Sequence, residues 1–576
     1  MQPVDYTTLL ATCTELREQW LPARLEQVYQ RDRFTISLLL RTLKGKGWLD
    51  ISWHPQAARM CIGDPPPRVP DTFTFSDQLR HQLSGLALVA IAEVSPWERV
   101  LDLQFAKRPG ESALWHLYVE VMSKYSNVVL TGQDNLIVTT AHQVSSQQSS
   151  VRPIQTSQPY ELPPSLTDPI PRLSEPLDQW QRRVSLIPGS LKRQLLKTYR
   201  GLSSALILAM VEAAGLDGER STDSLSDGEW TRLFECWCQW LEALEKSNFY
   251  PHFTETGYSV IAWNHTPTQP SMKTVQELLN CYYTAELNQQ DFQQLRHQIS
   301  QKLNNLLSKL RQKADGFIQR LKQSDNADSY RTQADLLMAS LHEWKPGMTN
   351  IILSDFETGE PVKIPLEPEK NAVQNAQAYY KRHQKLKRAR IAVEPLLAEV
   401  KAEIDYLEQV EAAIAQIESY QTSEDLQTLA EIRDELTQQG YFNTPGYQNR
   451  ATTETEFHRY KTPTGFELLV GRNNRQNDLL TSKIAGDYDL WFHSQEIPGS
   501  HVLLRLSAGD VPEEKDLQFV ANLTAYHSRA RQSEQVPVIY TKPKHVYKPK
   551  GSKPGMVIYK HETVIWGNPQ AAIAKP

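Results

Sequence analysis

The sequence predicts a multidomain α+β protein, with a long antiparallel coiled-coil hairpin between a mixed amino-terminal region and a final α/β unit. Three observations carry this. At 576 residues the chain exceeds what one core supports, since cores stop growing near about 250–300 residues. Apolar alternation of the strand type dominates up to about residue 140 and returns after about 446. Between these regions apolar residues recur at three- and four-residue steps, as a seam between helices requires.

Thr7 to Trp20 reads as a helix, followed by strands in "ARLEQVYQ", "RFTISLLLR", "WLDISWH" and "ARMCIG". A helix near "FSDQLRHQLSG" precedes strands "LALVAIAEV", "ERVLDLQFA", "SALWHLYVEVM" and "NVVLTG". Gln143 to Pro171 is rich in Ser, Gln and Pro and cannot build a core, so a first domain of 1–165 is expected. Residues 166–260 read as short helices with turn punctuation and a stop at Gly215. Paired short helices of this kind either present backbone amides to a phosphate or connect structure; both readings stand.

The coiled coil is expected over 261–445. Phe292, Leu295, Ile299, Leu303, Leu306, Leu310, Phe317 and Leu321 form one seam, skipped once near Ala314; Val400, Ile404, Leu407, Ile414 and Ile417 form the other. A middle module at about 325–370 holds a helix "TQADLLMASL" and strands "MTNIILSD" and "PVKIPLEP" around the turn "ETGE". Arms rising about 1.5 Å per residue suit docking on a large assembly more than small-molecule catalysis. "SEDLQTLAEIRDELTQQG" is a short helix with Ser423 as expected N-cap and Glu424 and Asp425 in its first turn. From 446 to 576 the α/β unit holds strands "FHRYKTP", "FELLVGR", "PVIYTKP" and "GMVIYK", with helices "NRQNDLLTSKIA" and "EEKDLQFVANLTAYHSRARQ".

Composition is 40% hydrophobic and 22% charged, and no apolar run of about 18 residues could span a bilayer. The start lacks the basic and apolar regions of a secretory signal, and five scattered cysteines suit a reducing compartment. A cytoplasmic location without membrane contact is the expectation. Cys236-Trp237-Cys238 lies in an apolar helical pattern with no second Cys/His pair nearby, so a buried helix is expected rather than a metal site. The net charge of -5 argues against a nucleic-acid binder, but its distribution argues otherwise. Residues 371–393 carry six Lys/Arg and no acid, and residues 541–560 six lysines and no acid. Such runs bind phosphate locally. They assign RNA contact to Lys381, Arg382, Lys385 and Lys387, and to Lys542, Lys544, Lys548, Lys550 and Lys553.

"DLWFHSQEIPGSHVLLR", Asp489 to Arg505, concentrates histidines, a serine and carboxylates. His493, His501 and Asp489 lack the spacing of a metal motif. Ser500 and His501 with Asp487 or Asp489 fail as a nucleophile arrangement, because adjacent strand residues point to opposite faces. A turn at Pro498-Gly499 followed by a buried strand fits better. The polar tips of His493, Ser500 and His501 are then candidates to face RNA, His493 equally to hold the turn. Arg472, Asn473, Asn474 and Gln476 precede a helix and are expected to form a phosphate site. Neither a catalytic residue nor a metal or cofactor is expected.

"VGRNNRQNDLLTSKIAGDYDLWFHSQEIPGSHVLLR" (Val470 to Arg505) resembles the carboxy-terminal signature of the NFACT family. "LYVEVMSKYSNVVL", "QPYELPP", "RGLSSAL", "NAQAYYKRHQKLK" and "EIRDEL" resemble the same family in the same order. The resemblance covers nearly the whole chain. It implies an NFACT-N domain similar to the amino-terminal domain of formamidopyrimidine-DNA glycosylases, a helix-hairpin-helix module, the coiled coil, and an NFACT-R RNA-binding domain. It further implies a ribosome-associated quality-control factor acting as a monomer on the large subunit, its rRNA and its stalk-base proteins. Such a factor recruits alanyl-tRNA beside a stalled peptidyl-tRNA, so that alanine tails grow without mRNA while the ribosome does the chemistry. The family's tRNA-engaging Asp-Arg pair falls on Glu98-Arg99, with Arg80 and Lys124 as companions; the acid is one methylene longer here. The family opens Met-Asp-Gly where this chain has "MQPVDYTTLL", and Ser157 stands where glycine is usual. Two other classes come with the resemblance. A glycosylase needs an amino-terminal proline, whereas Gln2 stands here and Pro3 follows; a surface adhesin, the family's older label, needs an export signal.

Overall fold

Alternating apolar residues and tight turns fold the first part of the chain into one antiparallel sheet. The computed structural model describes every residue except 68, 165–166, 264–271, 443–456 and 574–576. Contacts divide it into two units, Met1–Leu287 and Asn288–Pro576.

Helix α1 (Tyr6–Trp20) is capped by Asp5, whose Oδ1 accepts from the Thr8 amide at 2.8 Å. Strands β1 (Ala23–Asp32), β2 (Thr35–Arg41), β3 (Lys46–Ser52) and β4 (Arg59–Gly63) form one meander. After α2 (Thr74–Leu83), strands β5 (Ala87–Glu93), β6 (Val100–Ala106), β7 (Trp115–Glu120), β8 (Asn127–Gly132) and β9 (Ile137–Thr140) form a second. The short β1–β5 pairing at Ala23–Leu88 and Arg24–Ala87 joins them into the order β4-β3-β2-β1-β5-β6-β7-β8-β9.

The helical segment supplies α3 (Leu177–Val184), α4 (Leu191–Thr198), α5 (Ser204–Ala213) and α6 (Asp227–Glu245). Ser226 and Glu229 close a capping box on α6. Its apolar face carries the buried Trp230, Trp237 and Trp240 with Cys236, the buried helix expected there. Trp240 Nε1 donates to Thr7 Oγ1 at 3.0 Å, tying this module to α1. A small hairpin, β10 (His252–Thr254) and β11 (Gly257–Ser259), is too short to have a periodic signal.

Helix α7 (Val275–Ser324) is followed by α8 (Ala327–Ala339), strands β12 (Asn350–Ser354) and β13 (Pro361–Pro365), helix α9 (Ala372–Gln416) and α10 (Ser423–Gln438). Phe292, Ile299 and Leu303 share a core with Leu407, Val410 and Ile414, while Ala314 packs with Leu397 and Val400, so α7 and α9 run antiparallel. The gap in the seam at Ala314 is a small residue at a buried position. One turn after Leu303 the buried residue is Leu307, with Leu306 only half-buried, which corrects the expected register there. Leu429, Ile432 and Leu436 of α10 complete this core as a third helix. The N-cap of α10 is Thr422, not Ser423; its box partner is Asp425, one turn in.

The last unit has β14 (His458–Lys461), β15 (Glu467–Val470), α11 (Asn474–Leu479) continuing as a π-turn, β16 (Leu490–Ser494) and β17 (Val502–Leu504). Then come α12 (Glu514–Tyr526), β18 (Val536–Thr541), β19 (Val546–Tyr547), β20 (Ile558–Tyr559), β21 (Thr563–Gly567) and α13 (Pro569–Ile573). The sheet order is β14-β15-β17-β16-β18-β21. "GMVIYK" does not join it: β20 pairs with β19 in a separate ribbon, and the edge strand is β21. An edge strand with mostly exposed side chains carries little apolar signal. Leu468, Val470, Phe492 and Val538 pack with α12 on one face, while Leu469, Trp491, Leu503 and Ile539 fill the other.

Candidate nucleic-acid interface

The turn before β17 depends on Gly499. A Cβ there would meet Ser528 Cβ at 3.0 Å and the His527 carbonyl at 3.1 Å, because the Ser500 amide donates to that same carbonyl at 2.9 Å. Ser500 and His501 are consequently buried, and their tips do not face outward as expected. His501 Nδ1 lies 2.7 Å from Thr481 Oγ1, which also accepts from Trp491 Nε1 at 3.1 Å. His493 is half-buried and packs 5.4 Å from the His501 ring, so it holds the turn. Burial pushes the His493 imidazole down to about 4 and holds His501 well below its ordinary value, leaving both neutral. Asp489 braces the stretch, accepting from the Gly486 and Leu506 amides at 2.8 and 2.9 Å. Among the described residues no group of three or more His, Cys, Asp or Glu side chains could hold a metal ion.

The expected phosphate site at Arg472, Asn473, Asn474 and Gln476 is already filled. Asn473 Nδ2 and Gln476 Nε2 donate to Glu431 Oε2 at 2.8 and 3.0 Å. Asn474 Nδ2 donates to Glu435 Oε1 at 3.2 Å, and Arg472 pairs with Glu424. All three acids stand on one face of α10. The three amide side chains are buried and the Arg472 side chain is only 9% exposed, so the cluster seats a helix and not an RNA phosphate. Spacings of seven and four between these glutamates were the available sequence signal. Glu435 also accepts from Tyr406 Oη at 2.8 Å, and burial raises its carboxyl from 4.5 to about 7.

The lysines behave differently. Lys542, Lys544 and Lys550 are exposed around the β19–β20 ribbon and have no ion-pair partner among the described residues. Lys548 is exposed and pairs with Asp478. Lys553 leaves the group: it is half-buried over the rings of Tyr406 and Tyr441 at 5.5 and 5.1 Å and donates to Gln439 Oε1 at 3.0 Å. On α9, Lys381, Arg382, Lys385 and Lys387 are exposed, Arg382 lying 4.7 Å over Tyr330.

In the first unit Glu98 pairs with Arg200 at 3.4 Å, and Arg99 Nη1 donates to the Val4 carbonyl at 3.1 Å. Both are half-buried, so their side chains brace the amino terminus and the helical module. Arg80 pairs with Asp71 and Asp77 at 3.2 and 2.7 Å, while Lys124 lies 4.8 Å over the exposed Tyr125 ring.

A coiled-coil hairpin followed by an antiparallel sheet and a ribbon flanked by exposed lysines defines a multidomain protein with a basic surface patch. The comparisons place it within that class. Residues 5–455 match the NFACT N-terminal and middle domains, residues 456–561 match the NFACT protein RNA binding domain, and the chain belongs to the NFACT family. It is 28% identical over 579 residues to the Rqc2 homolog RqcH of Bacillus subtilis, covering 97% of this chain and 96% of that protein. The Rqc2 homolog RqcH of Streptococcus pneumoniae serotype 2 is 28% identical over 573 residues, with 97% and 96% covered. Among solved structures, the C-terminal part of the fibronectin/fibrinogen-binding protein from Streptococcus suis is 31% identical, with a TM-score of 0.37 over 48% of this chain and 94% of that one. No described helix is long and apolar enough to cross a membrane.

Proposed function

We propose that this protein is a ribosome-associated quality-control factor. It binds a split large ribosomal subunit that still holds peptidyl-tRNA, through rRNA and the stalk-base proteins, and recruits alanyl-tRNA to it. Alanine is then added to the stalled chain without mRNA, marking it for degradation. The rRNA supplies peptide-bond chemistry; the protein is a positioning factor, making a bimolecular encounter effectively intramolecular. The observation that carries this reading is the exposed set Lys542, Lys544 and Lys550 on the domain matched to an RNA-binding family. Likeness to Rqc2 homologs over 97% of the chain supports the ribosomal target.

The test is to isolate the tagged protein from cells, identify the ribosomal particle that accompanies it, and sequence the bound tRNA. Free large subunits with alanine tRNA are the expected result, together with alanine tails on a nonstop reporter. Recovery of intact ribosomes, or no tRNA at all, would overturn it.

A further inference from the structure

A cavity of about 300 Å³ opens between the α9–α10 connection and the sheet end formed by β14 and α12. Its sheet-side wall is made of rings: His458 lies 5.6 Å from His527, and His527 lies 5.9 Å from Tyr460 and 5.2 Å from Tyr526, all between centroids. His527 is fully satisfied, Nδ1 donating to Gln416 Oε1 at 3.2 Å and Nε2 accepting from Tyr460 Oη at 3.2 Å. Two other polar groups are not. His458 has no hydrogen-bond partner among the described residues, and the Nε–H of Arg472, whose side chain is nine-tenths buried and lines the cavity, has none either. An orphaned buried donor beside an unpartnered imidazole marks a place for a ligand with polar edges.

The charges say which ligand. Arg472 is neutralised by Glu424, Arg531 pairs with Glu418 while lying 4.1 Å over the Tyr526 ring, and Asp425 caps α10. Burial keeps both imidazoles uncharged, pushing His458 down to about 4 and His527 to about 3. An anion would meet cations already matched by three carboxylates. A neutral planar ring with hydrogen-bonding edges fits instead. The volume stands at the lower end of ligand pockets, which run from about 300 to 1,000 Å³, and suits one base.

We propose that this cavity takes a single nucleobase, unstacked from an RNA strand, whose ribose and phosphate stay outside the cavity. Stacking on rings is how proteins hold single-stranded RNA. The RNA source rests on the function proposed above, whereas the base pocket does not. In the test, full-length protein is photocross-linked to a short single-stranded RNA carrying 4-thiouridine, the sites are mapped by mass spectrometry, and uridine monophosphate binding is followed separately by saturation-transfer NMR. Ser419→Trp, at an exposed position lining the cavity, fills it without touching the core. The expected result is cross-linking to Tyr460, Tyr526 or His527 that Ser419→Trp weakens by about tenfold or more. RNA retention through the exposed lysines, unchanged in that variant, reports that the domain is folded. Cross-links confined to residues 542–550 and equal in both proteins would overturn the pocket while leaving RNA binding intact. Mononucleotide binding with no RNA cross-link would overturn the RNA source. RNA retention by neither protein, with mononucleotide still bound, would count against the proposed function instead.

Discussion

Ser157 has φ of 68°, the left-handed region where a side chain is strained, and its amide donates to the Ile137 carbonyl at 2.7 Å, fixing the turn. Glycine adopts this region without strain. Ser157→Gly should relieve about 1 kcal/mol of strain, part of it returned as unfolded-state entropy, and a small rise in the melting temperature of the first unit is expected. An unchanged or lower value would show that the strain does not outweigh the unfolded-state entropy that glycine adds. Glu435 gives a prediction with a sign. Its folded pKa of about 7 exceeds 4.5, so the folded state holds a proton that the unfolded chain has lost, and its contribution is lost as pH rises from 4.5 through 7. Ionised Glu435 thus costs roughly 3 kcal/mol above that window. The buried imidazoles act oppositely, so the difference between wild type and Glu435→Gln isolates the carboxyl. Chemical unfolding should show the variant gaining relative stability from pH 5 to pH 8. At this scale residue types were legible but their partners were not: Asn473, Asn474 and Gln476 announced a hydrogen-bonding cluster, and nothing local in the sequence says that carboxylates 42, 39 and 45 residues away fill it.

Helices and most strands were legible because their periods of 3.6 and 2 are set by burial, as with α7, α9 and the first eight strands of the large sheet; the four-residue β9 was missed. The hairpin β10–β11 and the edge strand β21 were missed as well, since three residues or an exposed edge leave no period to detect. Docking of α10 on α11 also escaped notice, because it is polar. Glu431 alone accepts from two buried amides. Glu431→Ala strands both donors and should cost about 1–3 kcal/mol, read in urea unfolding of the full chain. Glu431→Gln retains one acceptor and should cost less. No loss in either variant would mean that the helix is held by Leu429, Ile432 and Leu436 alone.

Over the whole molecule, a net charge of -5 conceals two acid-free basic runs, and charge segregation of this kind survives folding only where the side chains stay exposed. Lys542, Lys544 and Lys550 do; Lys553 is spent on the Tyr406 and Tyr441 rings. The lysines therefore separate by experiment. Changing Lys542, Lys544 and Lys550 together to alanine removes up to three phosphate contacts, and the logarithmic salt dependence of binding to large ribosomal subunits should flatten by about 2. Affinity at low salt should fall with it, while the unfolding midpoint stays put, because these side chains are exposed and make no ion pair among the described residues. Lys553→Ala should do the reverse, lowering stability with the salt slope unchanged. Co-sedimentation across a salt series reads both variants in one assay. An unaltered slope in the triple variant would remove the ribbon from the interface and leave Lys381, Arg382, Lys385 and Lys387 on α9 as the surface that meets RNA.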